Sequence, residues 1–183
     1  MRDRRLSARN RESPSYACDT LLRMDILFSP WRYGYMHEPK PEGFCALCHI
    51  QSQTRDENNF ILHRGQNAAV VLNLYPYTTG HLMIFPLRHL ADLNTCTAAA
   101  RTEIIELASR AEAALQSEYH PDGMNLGINL GRAAGAGIVG HLHLHVVPRW
   151  QGDANFVSVI GETRVMPEDL VRTYARLRPY FNS

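Results

Sequence analysis

The chain predicts an α+β domain, an antiparallel sheet with one long helix inserted and a second helix closing the chain. Three observations carry that expectation. Apolar runs of strand length, punctuated by turn residues, recur from residue 60 onward. Residues 97–119 set Ile104, Leu107, Ala108, Ala111 and Leu115 at helical spacing, with no Gly or Pro among them. The stretch Gly140-His-Leu-His-Leu-His-Val-Val-Pro148 alternates imidazoles with aliphatics at the side-chain period of a strand.

Residues 1–23 are rich in Arg and Ser with little apolar periodicity, which predicts a disordered basic tail. Met24 stands where apolar density begins, and residues 24–183 are expected to form one domain. An aromatic segment over 28–35 reads as an arm packed on that domain, and 39–43 as a linker into a Cys45-x-x-Cys48 knuckle at 44–50. Residues 60–64 and 68–74 flank Gly65-Gln66-Asn67 and predict a hairpin. A turn at 76–80 leads to a short strand at 81–86, then the long helix, which Pro121-Asp122-Gly123 ends. A strand over 124–130 precedes a loop at 131–140 that holds four glycines. After the histidine strand come a strand at 155–160 and a helix over 167–177, with Pro167 in its first turn.

Bulk properties narrow the function. At 183 residues and 45% hydrophobic content, one domain can bury a real core. Nineteen basic against 18 acidic residues leave a net charge of +1, no field that would draw a nucleic-acid polymer or a membrane surface. Lys40 is the only lysine. No run reaches membrane-spanning length and no signal-peptide core is seen, so a cytoplasmic protein is expected. Four cysteines with one C-x-x-C pair point to metal binding rather than a disulfide framework, and no βαβ pattern surrounds the pair to suggest thioredoxin-like redox chemistry.

On a strand, His141, His143 and His145 would share one face while Leu142, Leu144 and Val146 enter a core. Two chemistries use such a row. Three neutral imidazoles can hold a catalytic zinc; the nearest downstream acids, Asp153 and Glu162, sit too far along to complete that set at strand spacing. Alternatively, a neutral imidazole can attack phosphorus and form a phosphoramidate. That route needs a neighbour to fix the tautomer, an anion cradle, and a group to assist the leaving atom. Gly131-Arg-Ala-Ala-Gly135-Ala136-Gly137-Ile-Val-Gly140 offers such a cradle through its backbone amides.

His-Leu-His-Leu-His-Val-Val matches the signature of the histidine-triad (HIT) nucleotide hydrolases and transferases, and the chain resembles that family further. Asn73-Leu-Tyr-Pro-Tyr-Thr-Thr-Gly-His81-Leu-Met-Ile-Phe-Pro86-Leu-Arg-His89 resembles its upstream block, and Met124-Asn-Leu-Gly-Ile-Asn129 its third strand. Ser29-Pro-Trp-Arg and Pro148-Arg-Trp-Gln-Gly-Asp-Ala-Asn-Phe156 are similar to a bacterial branch that includes diadenosine tetraphosphate phosphorylases. The resemblance implies a HIT-like antiparallel sheet of about five to seven strands. It implies His143 as nucleophile on the α-phosphorus, His145 at the phosphate and leaving group, and His81 lining the same phosphate pocket. Asn73 would hold the ribose, Asn129 a phosphate-side position, and Gly135, Ala136 and Gly137 the cradle; Trp150 would stack on a base or seal the pocket. Gly137 and Ile138 stand where many relatives carry a loop hydroxyl.

Cys45 and Cys48 need two more ligands for tetrahedral zinc, and His49, His63, His81, His89 and His141 are all candidates by residue type. Resemblance to bacterial relatives with an early C-x-x-C implies His89 and His141, which would make His141 structural rather than catalytic. The implied activity is cleavage at the α-phosphate of an adenine nucleotide or dinucleotide, diadenosine polyphosphates above all, with structural zinc, no catalytic cofactor, and a homodimer joined through the long helix and an edge strand. A nucleoside phosphoramidase, a weakly catalytic nucleotide-binding regulator and a three-histidine metalloenzyme are the rival readings.

Overall fold

A computed structural model describes residues 43–155 and 168–182. The expected tail at 1–23, the arm at 28–35 and, beyond Asn155, the strand at 155–160 fall outside them. Five strands form one sheet: β1 (Ile61–Arg64), β2 (Ala68–Leu72), β3 (Leu82–Pro86), β4 (Gly123–Ile128) and β5 (Leu144–Arg149). Their order is β1-β2-β3-β5-β4 and every pairing is antiparallel. Helices α1 (Ala46–Ser52), α2 (Ala98–Tyr119) and α3 (Leu170–Leu177) complete the fold. None of the described helices is long and apolar enough to cross a membrane.

Helix α2 begins where Thr97 caps it, its hydroxyl accepting from the Ala100 amide at 3.2 Å. The helix ends one residue before Pro121, on His120 in the left-handed region at φ 48°. Its buried residues, Ala100, Ile104, Leu107, Ala108, Ala111, Ala114 and Leu115, contain the predicted stripe. The alanines let the helix lie close on Leu62, Val70, Leu72, Ile84, Leu144 and Val146, and Leu177 and Phe181 close that core. On the opposite sheet face, Ile61, Ala69, Val71, Met83 and Phe85 pack under Leu47 and Ile50 of α1 and Ile138 of the glycine loop. The described residues therefore cover one face of the sheet thickly and the other thinly.

The predicted hairpin forms, and its turn is fixed from across the fold. Glu103 of α2 accepts from the Gln66 and Asn67 amides at 2.7 Å each and from Asn67 Nδ2 at 2.9 Å. Such carboxylate-to-amide bonds are charge-assisted. A Cβ at Gly65 would lie 1.9 Å from Glu103 Oε1 and 2.9 Å from the Ala68 carbonyl.

The strands expected at 68–74 and 124–130 each end two residues early, at Leu72 and Ile128, and two other boundaries differ more. The closing helix starts at Leu170, because the Asp169 carboxylate accepts from the Arg172 amide at 2.8 Å and caps it there; Pro167, expected in its first turn, lies outside the described residues. Strand pairing in β5 begins at Leu144, so His141 and His143 lie on the extended approach to the strand. Period-two alternation still extends through that approach, with Leu142, Leu144 and Val146 in the α2-side core.

Glu168 ties α3 to α2. It accepts from Tyr119 Oη at 2.5 Å, Thr173 Oγ1 at 3.0 Å and Arg176 Nη1 at 3.1 Å. Burial pushes its carboxyl up, but the three donors outweigh burial and hold it below the ordinary glutamate value.

Two outcomes follow from these contacts. Gly65→Ala should destabilise the domain by about 2 kcal/mol, read as a lowered urea midpoint with unchanged slope, since an added methyl meets a carboxylate and a carbonyl. Because the folded Glu168 value is depressed, its contribution is present above the unfolded value of 4.5 and lost as pH falls below it. The stability gap between wild type and Glu168→Gln, measured by denaturant melts, should therefore be largest near neutrality and close on acidification; a gap constant with pH would refute the ionic anchor.

Candidate active site and metal centre

The sheet register assembles the site. Strand β5 inserts between β3 and β4, pairing Met83 with His145 and Gly127 with His145 across its two neighbours. His81, one residue before β3, lies diagonal to His145, with ring centroids 5.1 Å apart. His81, His141, His143 and His145 are all buried.

Hydrogen bonds fix the tautomer of each ring. Tyr77 N–H donates to His81 Nδ1 at 3.0 Å, so the His81 proton sits on Nε2. That N–H points to His145 Nδ1 at 2.9 Å, which places the His145 proton on its own Nε2. His143 Nδ1–H donates to the His141 carbonyl at 2.8 Å, leaving the lone pair on Nε2. His143 thus presents a nucleophilic nitrogen beside a His145 that presents a donor, their ring centroids 4.9 Å apart.

Both rings line a cleft enclosing ≈ 780 Å³, open mouth included. Its walls are largely aliphatic, from Leu47, Ile50, Val71, Met83 and Ile138. Asn73, Gly137, Asn58 and Asn59 add polar groups.

The expected site residues divide as follows. His143, His145, Asn73 and Gly137 line the cleft together. Asn73 is nearly buried and its Oδ1 accepts from the Tyr75 amide at 2.9 Å, so it shapes its own turn while facing the cleft. His81 sits one ring behind the wall, supporting His145. Gly135 and Ala136 spend their amides inside the loop, on the Arg132 carbonyl at 3.0 Å and the Gly131 carbonyl at 3.3 Å. Asn129 lies just past the end of β4, after the Ile128–Leu144 pair, and is not among the residues lining the cleft. Trp150 stands at the far end of β5, its amide on Asp153 Oδ2 at 3.2 Å, and is not among the residues lining the cleft. Sequence reasoning passed over Leu47, Ile50, Asn58 and Asn59; the spacing of Leu47 and Ile50 is helical, but α1 spans only seven residues.

His141 faces elsewhere. Cys45, Cys48, His89 and His141 bring their donor atoms within 4.8 Å of one another, forming the one group of this kind among the described residues. His141 Nδ1 lies 3.3 Å from Cys45 Sγ and 3.5 Å from Cys48 Sγ, and His89 Nδ1 lies 3.2 Å from Cys48 Sγ. Bonds of about 2.1 Å to nitrogen and 2.3 Å to sulfur give tetrahedral edges of roughly 3.4–3.8 Å, so the donors fit a zinc-sized ion with little movement. The outer nitrogen of His141 donates to the Pro86 carbonyl at 2.8 Å, the bond that fixes a metal-ligating imidazole. Burial, with help from neighbouring His89 and His143, depresses the His141 value despite that carbonyl, keeping the ring neutral. Burial and then the adjacent Cys45 push the Cys48 thiol up to about 11. A bound dication reverses that penalty and releases protons as it enters. His141 turns Nδ1 to the two thiols and Nε2 to the Pro86 carbonyl, away from the cleft that His143 and His145 line.

An antiparallel α+β sheet that carries a histidine row beside a nucleoside-sized cleft defines a histidine-triad protein. Residues 54–152 match the HIT domain, and the chain belongs to the HIT family. It is 38% identical over 162 residues to the AP-4-A phosphorylase of Mycobacterium tuberculosis strain H37Rv, covering 85% of this chain and 83% of that one. It is also similar to a Zn-bound histidine triad family protein from Mycobacterium smegmatis, with TM-score 0.61 and 30% identity over 74% of this chain and 91% of that one. A histidine triad nucleotide-binding protein from Sulfolobus tokodaii, 22% identical, shares the fold at TM-score 0.60 over 74% of this chain and 91% of its own.

If the cluster holds a metal, removing one thiolate should empty it. Cys48→Ala protein is expected to lose bound metal by elemental analysis and to melt several degrees below wild type, while chelator lowers the wild-type midpoint alone; equal metal content in both proteins would refute the ligand set.

Proposed function

We propose that this protein cleaves the α-phosphate linkage of adenine dinucleotides, diadenosine polyphosphates foremost, through a nucleotidyl intermediate on His143. The observation that carries this is the pair of opposed tautomers at the cleft wall: lone pair on His143 Nε2, proton on His145 Nε2. His143 Nε2 attacks the α-phosphorus, a P–N bond forms, and the bridging P–O bond breaks as its electron pair leaves with the departing nucleotide. The acceptor's oxygen then attacks the same phosphorus, restoring a P–O bond and freeing His143. Similarity to the M. tuberculosis AP-4-A phosphorylase favours inorganic phosphate over water as acceptor.

His145 acts here as a hydrogen-bond donor to the phosphate and leaving oxygen. Behind it, His81 Nε2–H donates to His145 Nδ1 and the Tyr77 amide donates to His81 Nδ1, which supports His145 in its neutral, donating form. A polyphosphate leaves as a stable anion and needs only such a bond, whereas an amine needs a full proton. This favours dinucleotides over phosphoramidates. Asn73 in the cleft wall holds the ribose hydroxyls, and Gly137, which lines the same cleft, lies at the phosphate.

The Cys45–Cys48–His89–His141 cluster holds structural zinc, which supplies rigidity and no chemistry to the reacting phosphate. Residues 24–183 act as one domain, in the cytoplasm. Two copies pair through β4 and α2: β4 is an edge strand whose Leu126 is 47% exposed, and Ile105 on α2 is 61% exposed.

The test is a product assay on diadenosine tetraphosphate, with and without inorganic phosphate. Wild type should yield two nucleotides only when phosphate is present. His143→Ala should abolish turnover, and His145→Ala should slow it about 10²–10⁴-fold. Phosphate-independent cleavage would keep the mechanism and make the enzyme a hydrolase; full activity in His143→Ala would sink the covalent route.

A further inference from the structure

We propose that Asn59, with Asn58 beside it, reads the 6-position of the bound base and makes the cleft select a 6-amino purine over a 6-oxo purine. This rests on the nucleotide reading above and adds to it the residues that choose the base.

The cleft runs across the strands. Gly127, His145, Met83, Val71 and Ile61 form one register row from β4 to β1. Three inter-strand spacings separate His145 on β5 from Ile61 on β1, about 14 Å. With phosphorus at His143, the far end receives the part of the nucleotide most remote from phosphorus, which is the edge of the base. The turn Glu57–Asn59 stands there, just before β1. Asn58 and Asn59 line the cleft and also a polar hollow next to it that includes Gln53 and Arg55. Leu47, Ile50, Val71, Met83 and Ile138 between the two ends can pack against a base but cannot tell one edge from another.

The Asn59 carboxamide is oriented. Its NH₂ donates to the Arg55 carbonyl at 3.2 Å, a bond only the nitrogen can make, so Oδ1 is the acceptor on the other branch. The turn is held by the Asn59 amide on the Asp56 carbonyl at 3.1 Å and by Phe60 in the left-handed region at φ 54°. A non-glycine residue there is uncommon and sits at sites the surroundings over-determine; the Phe60 ring is locked edge-on against Tyr174 at 5.9 Å. An acceptor in this place pairs with the exocyclic amine of adenine and opposes the O6 acceptor of hypoxanthine or guanine. Two acceptors desolvated against each other cost more than a missing contact.

Calorimetric titration of AMP and of IMP, which carries an oxo group in place of the amine, into the full chain tests this directly. Wild type should bind AMP about tenfold more tightly than IMP, and Asn59→Ala should bring the two within about threefold. Gln53→Ala, altered in the hollow but outside the cleft, should keep the wild-type ratio. The ratio compares two ligands on one protein, so a partly unfolded variant does not distort it, and the wild-type arm needs no variant. Equal affinities in wild type, a full ratio surviving in Asn59→Ala, or a ratio lost as completely in Gln53→Ala would each overturn the inference alone. Failure of wild type to bind either nucleotide would overturn the nucleotide reading and this inference with it.

Discussion

His141 makes three commitments at once, and the site depends on all of them. Its Nδ1 faces the two thiols, its Nε2–H is held by the Pro86 carbonyl at the end of β3, and its own carbonyl accepts from His143 Nδ1. The first two fix the residue to α1 and to the sheet; the third uses that fixed position to set the tautomer of the ring two residues on. A nucleophile needs its lone pair aimed at phosphorus before the substrate arrives, because reorganisation during attack raises the barrier. In the proposed reaction the Cys45–Cys48–His89–His141 cluster would thus serve the chemistry without touching the reacting atoms, through one backbone carbonyl.

The two faces of the sheet divide the labour. Alanines on α2 allow a close, dense core on one side, and the buried aliphatics of the β5 segment, Leu142, Leu144 and Val146, lock the histidine strand into it. Among the described residues, the other face is covered by the short α1 and, from the glycine loop, by Ile138, with a cleft between them. Period-two geometry then puts every histidine of the row on the thin side.

The row of histidines and the long helix were legible because both are periodic patterns sustained over many residues. Stripe and alternation each survive small errors in boundaries, as the later starts of β5 and α3 show. How the histidines divide their work is not periodic. Separating His141 from His143 requires knowing that β3 pairs with β5 across the intervening helix and strand, a nonlocal contact that spacing alone cannot express. Resemblance to a family, rather than residue pattern, supplied that division beforehand. The α1 helix is too short to display a period, and Asp56-Glu-Asn-Asn59 is polar enough to read as bare loop. The glycine loop shows the opposite hazard: its composition suggests a generous anion nest, yet two of the expected amides close the loop on itself.

Among the described residues lining the cleft there is neither Lys nor Arg. In the proposed reaction the described donors to phosphate are neutral, the His145 Nε2–H and backbone groups of the loop near Gly137. Fixed dipoles of this kind bind a ground-state anion less strongly than a cation would, but they need no rearrangement as charge shifts onto the oxygens during attack. Stabilisation is thereby weighted toward the transition state, which raises turnover, rather than spread uniformly over substrate and product, which does not. Products of polyphosphate cleavage carry more terminal charge than their substrate. Neutral donors hold such products less tightly than arginine would, so in the proposed reaction the described donors that aid attack also aid release.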